Sequence, residues 1–419
     1  MNLIDNAMRL PVRVVAIGAG NRMRTYVKYI SDHPDVVTLV AVVDPNGQRR
    51  DEMADAFGLP PTARFADSEH FFASHVEADA VFIGTPEAYH FLPAMTAIRH
   101  GLHVLLEKPI AQSYDECATI AMEARRHHVH VGVCHVLRYM PCFQKIKAIV
   151  DEGSLGRIIS IRHTERVGVD RMAHSYVRGA FRRSEDANPM LLSKCCHDVD
   201  FLLWLVNSPC RRVSSFGSLS WFNSAHAPEG AAGRCVDCKV EASCPFSAVD
   251  LYWRRREWIR NFDVPKGKTI DDVLREELRH GPFGRCVYHC DNDVVDHQTT
   301  ILEMADRTTI ALDMTAFTKD DHRSTAISLT EGEIFCNEAC VTVRHFLTGK
   351  EERFDFSEEM NRPYHGGADF AIVDDFLLTL CGKTSEPLAS IDDALHSHRL
   401  CFEAERSRLT GQTVDLTQK

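Results

Sequence analysis

Lys108 is the residue whose position most clearly suggests chemistry. It follows the apolar run "HVLLE" (His103–Glu107), and Pro109 comes directly after it. Such runs predict strands of a parallel sheet covered on both faces, and ligands of these sheets bind beyond the carboxyl ends of the strands. An ammonium there can stabilise the negative charge that develops on a hydroxyl oxygen as its carbon loses hydride. The alternative is a solvated lysine in a strand-to-helix loop.

A second group that can move a proton lies in "LLSKCCHDVDFLLWL". The pattern places His197 near the start of a helix, with Lys194 three residues earlier on the same face. An unperturbed histidine has a pKa of about 6.5, which suits a general base at neutral pH. The alternative is a helix-capping histidine followed by a solvated Asp198.

A Gly-x-Gly loop follows the first apolar run, in "VVAIGAGNRMRTYV". Backbone N–H groups and a helix N-terminus would there face a pyrophosphate. Gly18 would allow the tight turn and Gly20 the close approach of the phosphate. Met23 stands where the third glycine of the fingerprint is expected, which predicts a looser contact between helix and strand.

Asp44 supports a nucleotide site. It ends the second apolar run, 24 residues after Gly20. A carboxylate at this place binds the adenosine ribose hydroxyls and repels a 2′-phosphate, so NAD is favoured over NADP. The alternative is a βαβ unit that binds no cofactor.

The elements that position these residues alternate over the first ~140 residues, as in a parallel sheet. The predicted strands are Val12–Ile17, Val37–Asp44, Ala80–Gly84, His103–Glu107 and His130–Cys134. The predicted helices are Arg22–Ser31, Gln48–Phe57, Ala88–Arg99 and Tyr114–His127.

The pattern changes after about residue 140. A long alternating strand, Gly156–Gly168, precedes several β-rich runs between Thr299 and Val343, and two helices follow, Asp369–Leu380 and Ile391–Thr410. We expect an α/β protein with a Rossmann domain in 1–140 and an α+β domain in 141–390 that has a large open, mainly antiparallel sheet. The second domain would carry a cysteine-containing insertion at about 222–290. A C-terminal helix in 391–419 would pack back on the N-terminal domain.

Composition narrows the class of partner. The net charge of −11 is spread along the 419 residues, which argues against nucleic acid, because nucleic acid requires a basic face. No apolar run approaches the ~18 residues of a membrane span, and the first residues lack the layout of a signal peptide. The 15 cysteines then favour a reduced compartment, and we expect a cytoplasmic protein.

Five segments together resemble the Gfo/Idh/MocA oxidoreductases, the group of glucose–fructose oxidoreductase and inositol dehydrogenase. They are "GAGNR", "GTPEAYH", "EKPI", "HDVDFLLWL" and "HGGADFAIVDDF", and the resemblance runs from Val12 to about Leu409. It implies a Rossmann domain, a second domain with an open sheet, a bound NAD(P), and oxidation or reduction of sugars or cyclitols. It also implies a homodimer or homotetramer joined through the open sheets.

The resemblance assigns roles residue by residue. It places Lys108 beside the nicotinamide, with His197 as the acid or base and Lys194 altering the charge of the site. The family often shows Asp-x-x-x-His here, but this chain has Ser193 in place of the aspartate. The implied cofactor-binding set is Gly18, Gly20, Asn21, Arg22, Met23, Asp44, Thr85, Pro86, His90, Glu107, Lys108 and Pro109. Arg138, Tyr139 and His365 match positions near the substrate.

The loop "AHSYVRGAF" adds candidate substrate contacts. It places His174, Tyr176 and Arg178 at alternate positions. Alternating polar and aromatic groups suit a carbohydrate, which presents hydroxyls and apolar ring faces. A contact between subunits is the alternative.

"RCVDCKVEASCPF" brings together Cys235, Cys238 and Cys244. Such thiolates are typical ligands of structural zinc. We favour Cys286 as the fourth ligand over Cys290, His289 and His226. Free thiols and an iron–sulfur cluster are the alternatives.

Three functions remain open on the sequence. The leading one is an NAD-dependent dehydrogenase of a sugar or cyclitol hydroxyl. The second is a glycoside-cleaving enzyme that oxidises the ring transiently, eliminates the aglycone and returns the hydride. The third is a non-catalytic sensor of sugar and nucleotide.

Overall fold

The computed structural model describes residues 10–417, so the expectations for residues 1–9, 418 and 419 lie outside it. Its first sheet is parallel, with the strands β1 Val12–Ile17, β2 Val37–Val43, β3 Arg64–Phe65, β4 Ala80–Ile83, β5 His103–Leu106 and β6 Val131–Val133. The strand order β3-β2-β1-β4-β5-β6 is that of a doubly wound Rossmann sheet. The order reverses between β1 and β4, and the predicted cofactor loop follows β1.

Five helices connect these strands: α1 Asn21–Asp32, α2 Gly47–Ala56, α3 Ser68–Phe72, α4 Phe91–Arg99 and α5 Tyr114–His127. The residues in the first and last turns of α5 explain where this helix begins and ends. The Ser113 hydroxyl accepts the N–H of Glu116, acidic residues occupy the first turn, and basic residues occupy the last turn. These groups satisfy the free N–H groups and complement the helix dipole. Short β3 and α3 were not predicted, because neither carries a long periodic pattern.

The second sheet has nine strands in the order β14-β13-β12-β11-β7-β10-β9-β8-β15. Only β7 and β10 pair in parallel, so the prediction of a mainly antiparallel sheet is confirmed. The strands are β7 Ile158–Arg166, β8 Cys210–Ser218, β9 His297–Met304, β10 Thr309–Thr315, β11 His322–Leu329, β12 Gly332–Cys336, β13 Cys340–His345, β14 Glu351–Asp355 and β15 Val414–Asp415.

The remaining helices are α6 Pro141–Glu152, α7 Val169–Arg171, α8 Met190–Val206, α9 Ile270–Arg279, α10 Ser357–Met360, α11 Pro363–Gly366, α12 Ala368–Leu380 and α13 Ile391–Thr410. Strand residues alternate between the two faces of the sheet. One face of the second sheet packs on helices that include α6, α8 and α13. On the opposite face, the register aligns Ile301, Ala311, Arg162, Ala326 and Phe335 in one row across five strands.

α8 corrects one prediction. It begins at Met190, directly after Pro189, so His197 lies in its interior and not near its start. The seven additional residues are apolar or uncharged except for Lys194, and they extend the buried stripe of the helix. No helix within residues 10–417 has the length and apolar character needed to cross a bilayer.

α13 packs against elements of both domains. It packs along α8 and β8 of the second domain and along α5 of the first. The His398 Nε2 atom accepts the N–H of Ile110, just after the Lys108 loop, at 2.9 Å. The helix therefore supports the loop that carries the candidate catalytic lysine.

Candidate active site

Lys108 lies in a cleft of about 520 Å³ that is lined by both domains. Its Nζ atom donates to the Ser193 carbonyl oxygen at 2.5 Å. The loop after β5 and helix α8 thus hold the ammonium from two sides. The predicted site residues that line the same cleft are Arg22, Thr85, Pro86, Glu107, His197 and His365, together with Lys194 and Tyr176.

Glu107 anchors the base of this loop. Its Oε1 atom accepts from Arg22 Nε at 2.7 Å and from the Tyr26 hydroxyl at 2.5 Å. Burial by itself would raise the pKa of Glu107, but the nearby Arg22 charge and the hydrogen bond from Tyr26 lower it overall. Arg22 also pairs with Asp369 at 2.8 Å, and His365 bonds the other oxygen of Asp369. This chain of charges connects the cofactor side of the cleft to α12.

His197 projects into the cleft one turn after Ser193. Its Nδ1 atom is buried and has no hydrogen-bond partner among the described residues. Burial, and then the positive charge of Lys108, lower the pKa of His197 well below its ordinary value. The imidazole is therefore neutral at pH 7 and can accept a proton.

Lys194 is engaged in a buried network of ion pairs. Its Nζ atom lies 2.9 Å from Glu165 and 3.7 Å from Asp321. Arg323 pairs with Glu165 and with Asp198, each at 2.6 Å. Two carboxylates neutralise the Lys194 ammonium. Lys194 is therefore better placed to adjust the electrostatic potential of the cleft than to transfer a proton itself.

Glu87 is a cleft residue that sequence reasoning missed. Its carboxylate is 6% exposed and accepts from the Ser193 hydroxyl and from the Asn188 amide, each at 2.7 Å. The signal was present, since Glu87 lies inside the segment "GTPEAYH" that carries part of the resemblance. Arg323 and Asp321 were also missed, and no local pattern marks them, because only the folding of the second sheet brings them to the cleft.

The Gly-x-Gly loop adopts the tight turn that was predicted from its glycines. Gly18 has φ +89°, and a Cβ atom there would lie 2.8 Å from the Gly84 backbone. Gly20 faces open space and caps α1. The prediction of a loose contact at Met23 is wrong, because its fully buried side chain packs against Gly84, which leaves the room for it. The Met23 side chain thus belongs to the core and faces no ligand.

Asp44 is tied to the same loop. One of its oxygens accepts the N–H of Ala19 at 2.6 Å, and the other accepts the N–H of Asn46 at 2.8 Å. Asn21, at the start of α1, donates its amide to Asn261 of the insertion at 2.9 Å. The predicted adenosine side of the site is therefore bordered by both the loop and the insertion.

His90 lies behind the cleft wall. Its two ring nitrogens face the carbonyl oxygens of Pro109 at 2.7 Å and Thr85 at 3.0 Å. The ring is 1% exposed, so it joins the loops after β4 and β5. Thr85 and Pro86 themselves line the cleft, whereas His90 positions them.

Arg138 and Tyr139 were predicted to face the substrate, and the structure places both outside this cleft. The Arg138 guanidinium is buried in bonds to Asp200 at 2.6 and 2.9 Å and to Asp393 at 3.0 Å. The Tyr139 hydroxyl donates to Asp375 at 2.8 Å. Both side chains join β6 to the helices of the second domain, because a charged or phenolic group buried there must be paired.

The three candidate substrate contacts in the loop "AHSYVRGAF" lie at different sites. Tyr176 lines the cleft. His174 is instead stacked between Trp258 and Phe283 of the insertion, with ring centroids 4.9 and 4.7 Å apart. Burial, and then the charge of Arg178, lower the pKa of His174 to about 4. Arg178 is wholly buried beside the predicted cysteine ligands, so neither His174 nor Arg178 contacts the cleft.

The four predicted cysteine ligands lie together. Cys235, Cys238, Cys244 and Cys286 line one small cavity inside the insertion, and Arg178 lines it with them. Cys290 does not line it, and its thiol donates to the Cys286 carbonyl oxygen at 3.2 Å.

Comparison with known proteins identifies the family. Residues 12–135 match the oxidoreductase family with an NAD-binding Rossmann fold, and residues 143–251 match the GFO/IDH/MocA C-terminal domain. The chain belongs to the Gfo/Idh/MocA family. The predictions of the family and of the fold class are therefore confirmed.

Individual Gfo/Idh/MocA relatives are distant. An inositol 2-dehydrogenase of Corynebacterium glutamicum is 23% identical over 48% of this chain and 56% of its own length. A 2,7-anhydro-N-acetylneuraminate hydratase of Mediterraneibacter gnavus is 26% identical over 54% of this chain and 56% of its own length. The chain thus spans about half the length of these curated relatives.

One solved relative covers nearly the whole fold. A levoglucosan dehydrogenase in complex with NADH and levoglucosan has a TM-score of 0.70, over 97% of this chain and 100% of that one. At 17% identity the likeness shows the Gfo/Idh/MocA fold.

Proposed function

We propose that this protein is an NAD-dependent oxidoreductase that transfers hydride between a sugar or cyclitol hydroxyl carbon and the nicotinamide. The observation that carries the proposal is the position of Lys108. Its ammonium lies in the cleft beyond the carboxyl end of β5, held by the Ser193 carbonyl and close to neutral His197.

The described residues fit NAD. Gly18 holds the tight turn, Gly20 leaves open space before the N-terminus of α1, and Asp44 offers a carboxylate beside the loop. A carboxylate there accepts from ribose hydroxyls and repels a 2′-phosphate, so NAD is proposed in preference to NADP. NAD, when bound, supplies the acceptor or donor of the hydride.

The side chains of the cleft would handle the proton. Oxidation of an alcohol carbon requires that the hydroxyl proton leaves along with the hydride. Neutral His197 accepts that proton, and the Lys108 ammonium stabilises the negative charge on the oxygen. Glu87 and Ser193 fix the start of α8 and so hold both groups in place.

The sugar or cyclitol class rests on the shape and polarity of the cleft. Tyr176 offers an aromatic surface, and charged groups such as Arg323 and His365 can bond hydroxyls. The named activities of the inositol 2-dehydrogenase and the levoglucosan dehydrogenase support this class.

The test is a screen of free sugars, inositols and aryl glycosides with NAD and with NADP, followed at the absorbance of the reduced nicotinamide. We expect reduction of NAD with at least one polyol or sugar. Failure of both cofactors to bind, measured by calorimetry, would end the proposal.

A redox-assisted glycoside lyase or hydrolase is the second candidate. The buried carboxylate of Glu87 beside Ser193 provides an acid-base group in addition to His197, which an elimination step requires. The hydratase relative is named for a reaction without net oxidation. This candidate predicts release of an aglycone with no accumulation of NADH, whereas the dehydrogenase accumulates NADH.

Assembly and location are further proposals. We propose a homodimer or homotetramer joined through the second sheet, because Ile301 and Phe335 lie on its open face with 49% and 50% exposure. We propose a cytoplasmic location, since all 15 cysteines are unpaired. The structural zinc predicted from the sequence stays one candidate for the cysteine cavity.

A further inference from the structure

The cysteine cavity lies in the insertion between β8 and β9. A bridge between Arg234 and Arg285 aligns the two chain segments, and the Cys286 N–H donates to the Gly233 carbonyl oxygen at 2.9 Å. Cys235 and Cys286 follow these positions directly. Ligands that are 51 residues apart in sequence thus reach one cavity through backbone pairing, which does not depend on their thiols.

Arg178 provides evidence, independent of the cysteines, that an anionic group binds in the cavity. Its side chain is 0% exposed, and Nη1 has no hydrogen-bond partner among residues 10–417. Nε and Nη2 donate to the carbonyl oxygens of Arg285 and Phe246, each at 2.7 Å. The hydrogen-bond acceptors of this guanidinium in the described part of the chain are two carbonyl oxygens and the Cys235 sulfur, and none is a carboxylate. Since an unpaired buried charge is costly, an anionic group in the cavity is expected.

The thiols would supply that charge as metal-bound thiolates. Metal binding deprotonates thiol ligands, and four thiolates leave a net negative charge around the metal. Cys235 already accepts the Ala248 N–H at 3.4 Å and faces Arg178 Nη2 at 3.7 Å, which are contacts that stabilise a bound thiolate.

The spacing of the sulfur atoms distinguishes between metals. One zinc ion with Zn–S bonds of about 2.3 Å places its tetrahedral thiolates roughly 3.8 Å apart. Within residues 10–417, no three of these four sulfur atoms lie within 4.8 Å of one another. The cavity between them also admits a water-sized sphere. A larger inorganic core with four separate thiolate corners fits this arrangement.

We propose that Cys235, Cys238, Cys244 and Cys286 ligate a four-iron, four-sulfide cluster. Arg178 compensates the charge of the cluster. Each thiol loses its proton on binding, and no oxidation or reduction of the protein is required.

The cluster fixes an insertion that reaches the nucleotide side of the first domain. The insertion core packs Tyr252 on His174, whose Nε2 atom contacts Asn261 at 3.1 Å. Asn261 bonds Asn21, and Asp263 accepts from Arg49 at 2.7 Å. Loss of the cluster would therefore weaken nucleotide binding as well as the stability of the insertion.

The test is metal analysis of the full chain purified without oxygen. We expect about four iron atoms and about four acid-labile sulfides per chain, with the broad visible absorption of iron–thiolate charge transfer. Cys238→Ser and Cys244→Ser should each lose most of the iron. Cys290→Ser is the matched control and should keep it, because Cys290 lies outside the cavity.

The unmodified protein decides the proposal even where a serine variant fails to fold. About one zinc per chain without sulfide would overturn the cluster and leave a zinc site in its place. Absence of metal after anaerobic reconstitution with iron and sulfide would overturn the metal site altogether. Neither result depends on the proposed oxidoreductase activity, which is measured separately by nicotinamide absorbance.

Discussion

The Ser193 hydroxyl donates to the buried carboxylate of Glu87 at 2.7 Å, and the Ser193 carbonyl accepts from Lys108 at 2.5 Å. One residue of α8 thus joins the loop after β4 to the loop after β5. Members of the family often have an aspartate at the position where this chain has Ser193. The structure shows that a carboxylate is present next to that position after all, supplied by the neighbouring loop.

Glu87→Gln should lower kcat/KM for the sugar or cyclitol by roughly 10²-fold, in the range of a lost acid-base or charge-positioning group. Glutamine keeps the size and can still accept from Ser193, so the change removes mainly the charge. Steady-state kinetics at saturating NAD would measure it. Glu358→Gln, at an exposed position of α10, is the control. Unchanged kinetics of the Glu87 variant would assign that residue to packing alone.

Asp44→Asn should raise the KM for NAD about tenfold and narrow the preference over NADP, since a charged hydrogen bond contributes ~1.5–3 kcal/mol. The carboxylate beside the Ala19 N–H is the acceptor proposed for the ribose hydroxyls. Titration of NAD and NADP by calorimetry gives both affinities. Asp35→Asn, on an exposed turn, should leave them unchanged. An unaltered NAD/NADP ratio would contradict the assigned role of Asp44.

Buried histidines should make the fold less stable as the pH falls from 7 to 5. Burial lowers the pKa of His398 to about 3, whereas the unfolded chain has a pKa of about 6.5. The unfolded state therefore takes up the proton first, and the free energy of unfolding decreases as the pH falls through the unfolded value. For His398 this amounts to about 2 kcal/mol at pH 5.

Denaturant unfolding at several pH values measures that slope. His398→Asn should flatten it, although the variant is less stable at pH 7 because Ile110 loses its hydrogen bond. His396→Asn is a matched control, since His396 is exposed on the same helix. Equal pH slopes in both variants would show that His398 is not kept neutral by the fold.

Phe335→Asp should dissociate the proposed oligomer. Phe335 and Ile301 lie in one row of the open sheet face, and a charge in the centre of an apolar interface is costly to desolvate. Light scattering after size exclusion would give the mass of each variant. Leu347→Asp is the control, because Leu347 is 97% exposed in the turn after β13. An unchanged mass would place the interface elsewhere.

Much of the first domain could be predicted from sequence because its strands are apolar runs separated by periodic helices. Gly18, Asp44 and Lys108 could be singled out for the same reason, since each lies within two residues of the end of a strand. Arg138 was misplaced because its type suits both a substrate site and a buried ion pair. Only the tertiary position of Asp200 decides between these two roles.

The role of Glu87 could not be predicted from the sequence. Its segment carries part of the resemblance to the family, but the role of Glu87 depends on Ser193, 106 residues later. Pairwise contacts of this kind have no local pattern. The cysteine cluster could be proposed because three of its members are close in sequence, and the structure places Cys286, unlike Cys290, at the same cavity.

The proposed role of Lys108 is tested most directly by the rate of hydride transfer in Lys108→Met, measured at the absorbance of the reduced nicotinamide with NAD affinity determined in parallel. We expect a loss of roughly 10²–10³-fold in kcat with little change in NAD affinity, because the ammonium acts on the charge that develops at the substrate oxygen. Lys383→Met, on an exposed loop, should behave like the unmodified protein. An undiminished kcat of the Lys108 variant would show that this ammonium does not stabilise the transition state of hydride transfer.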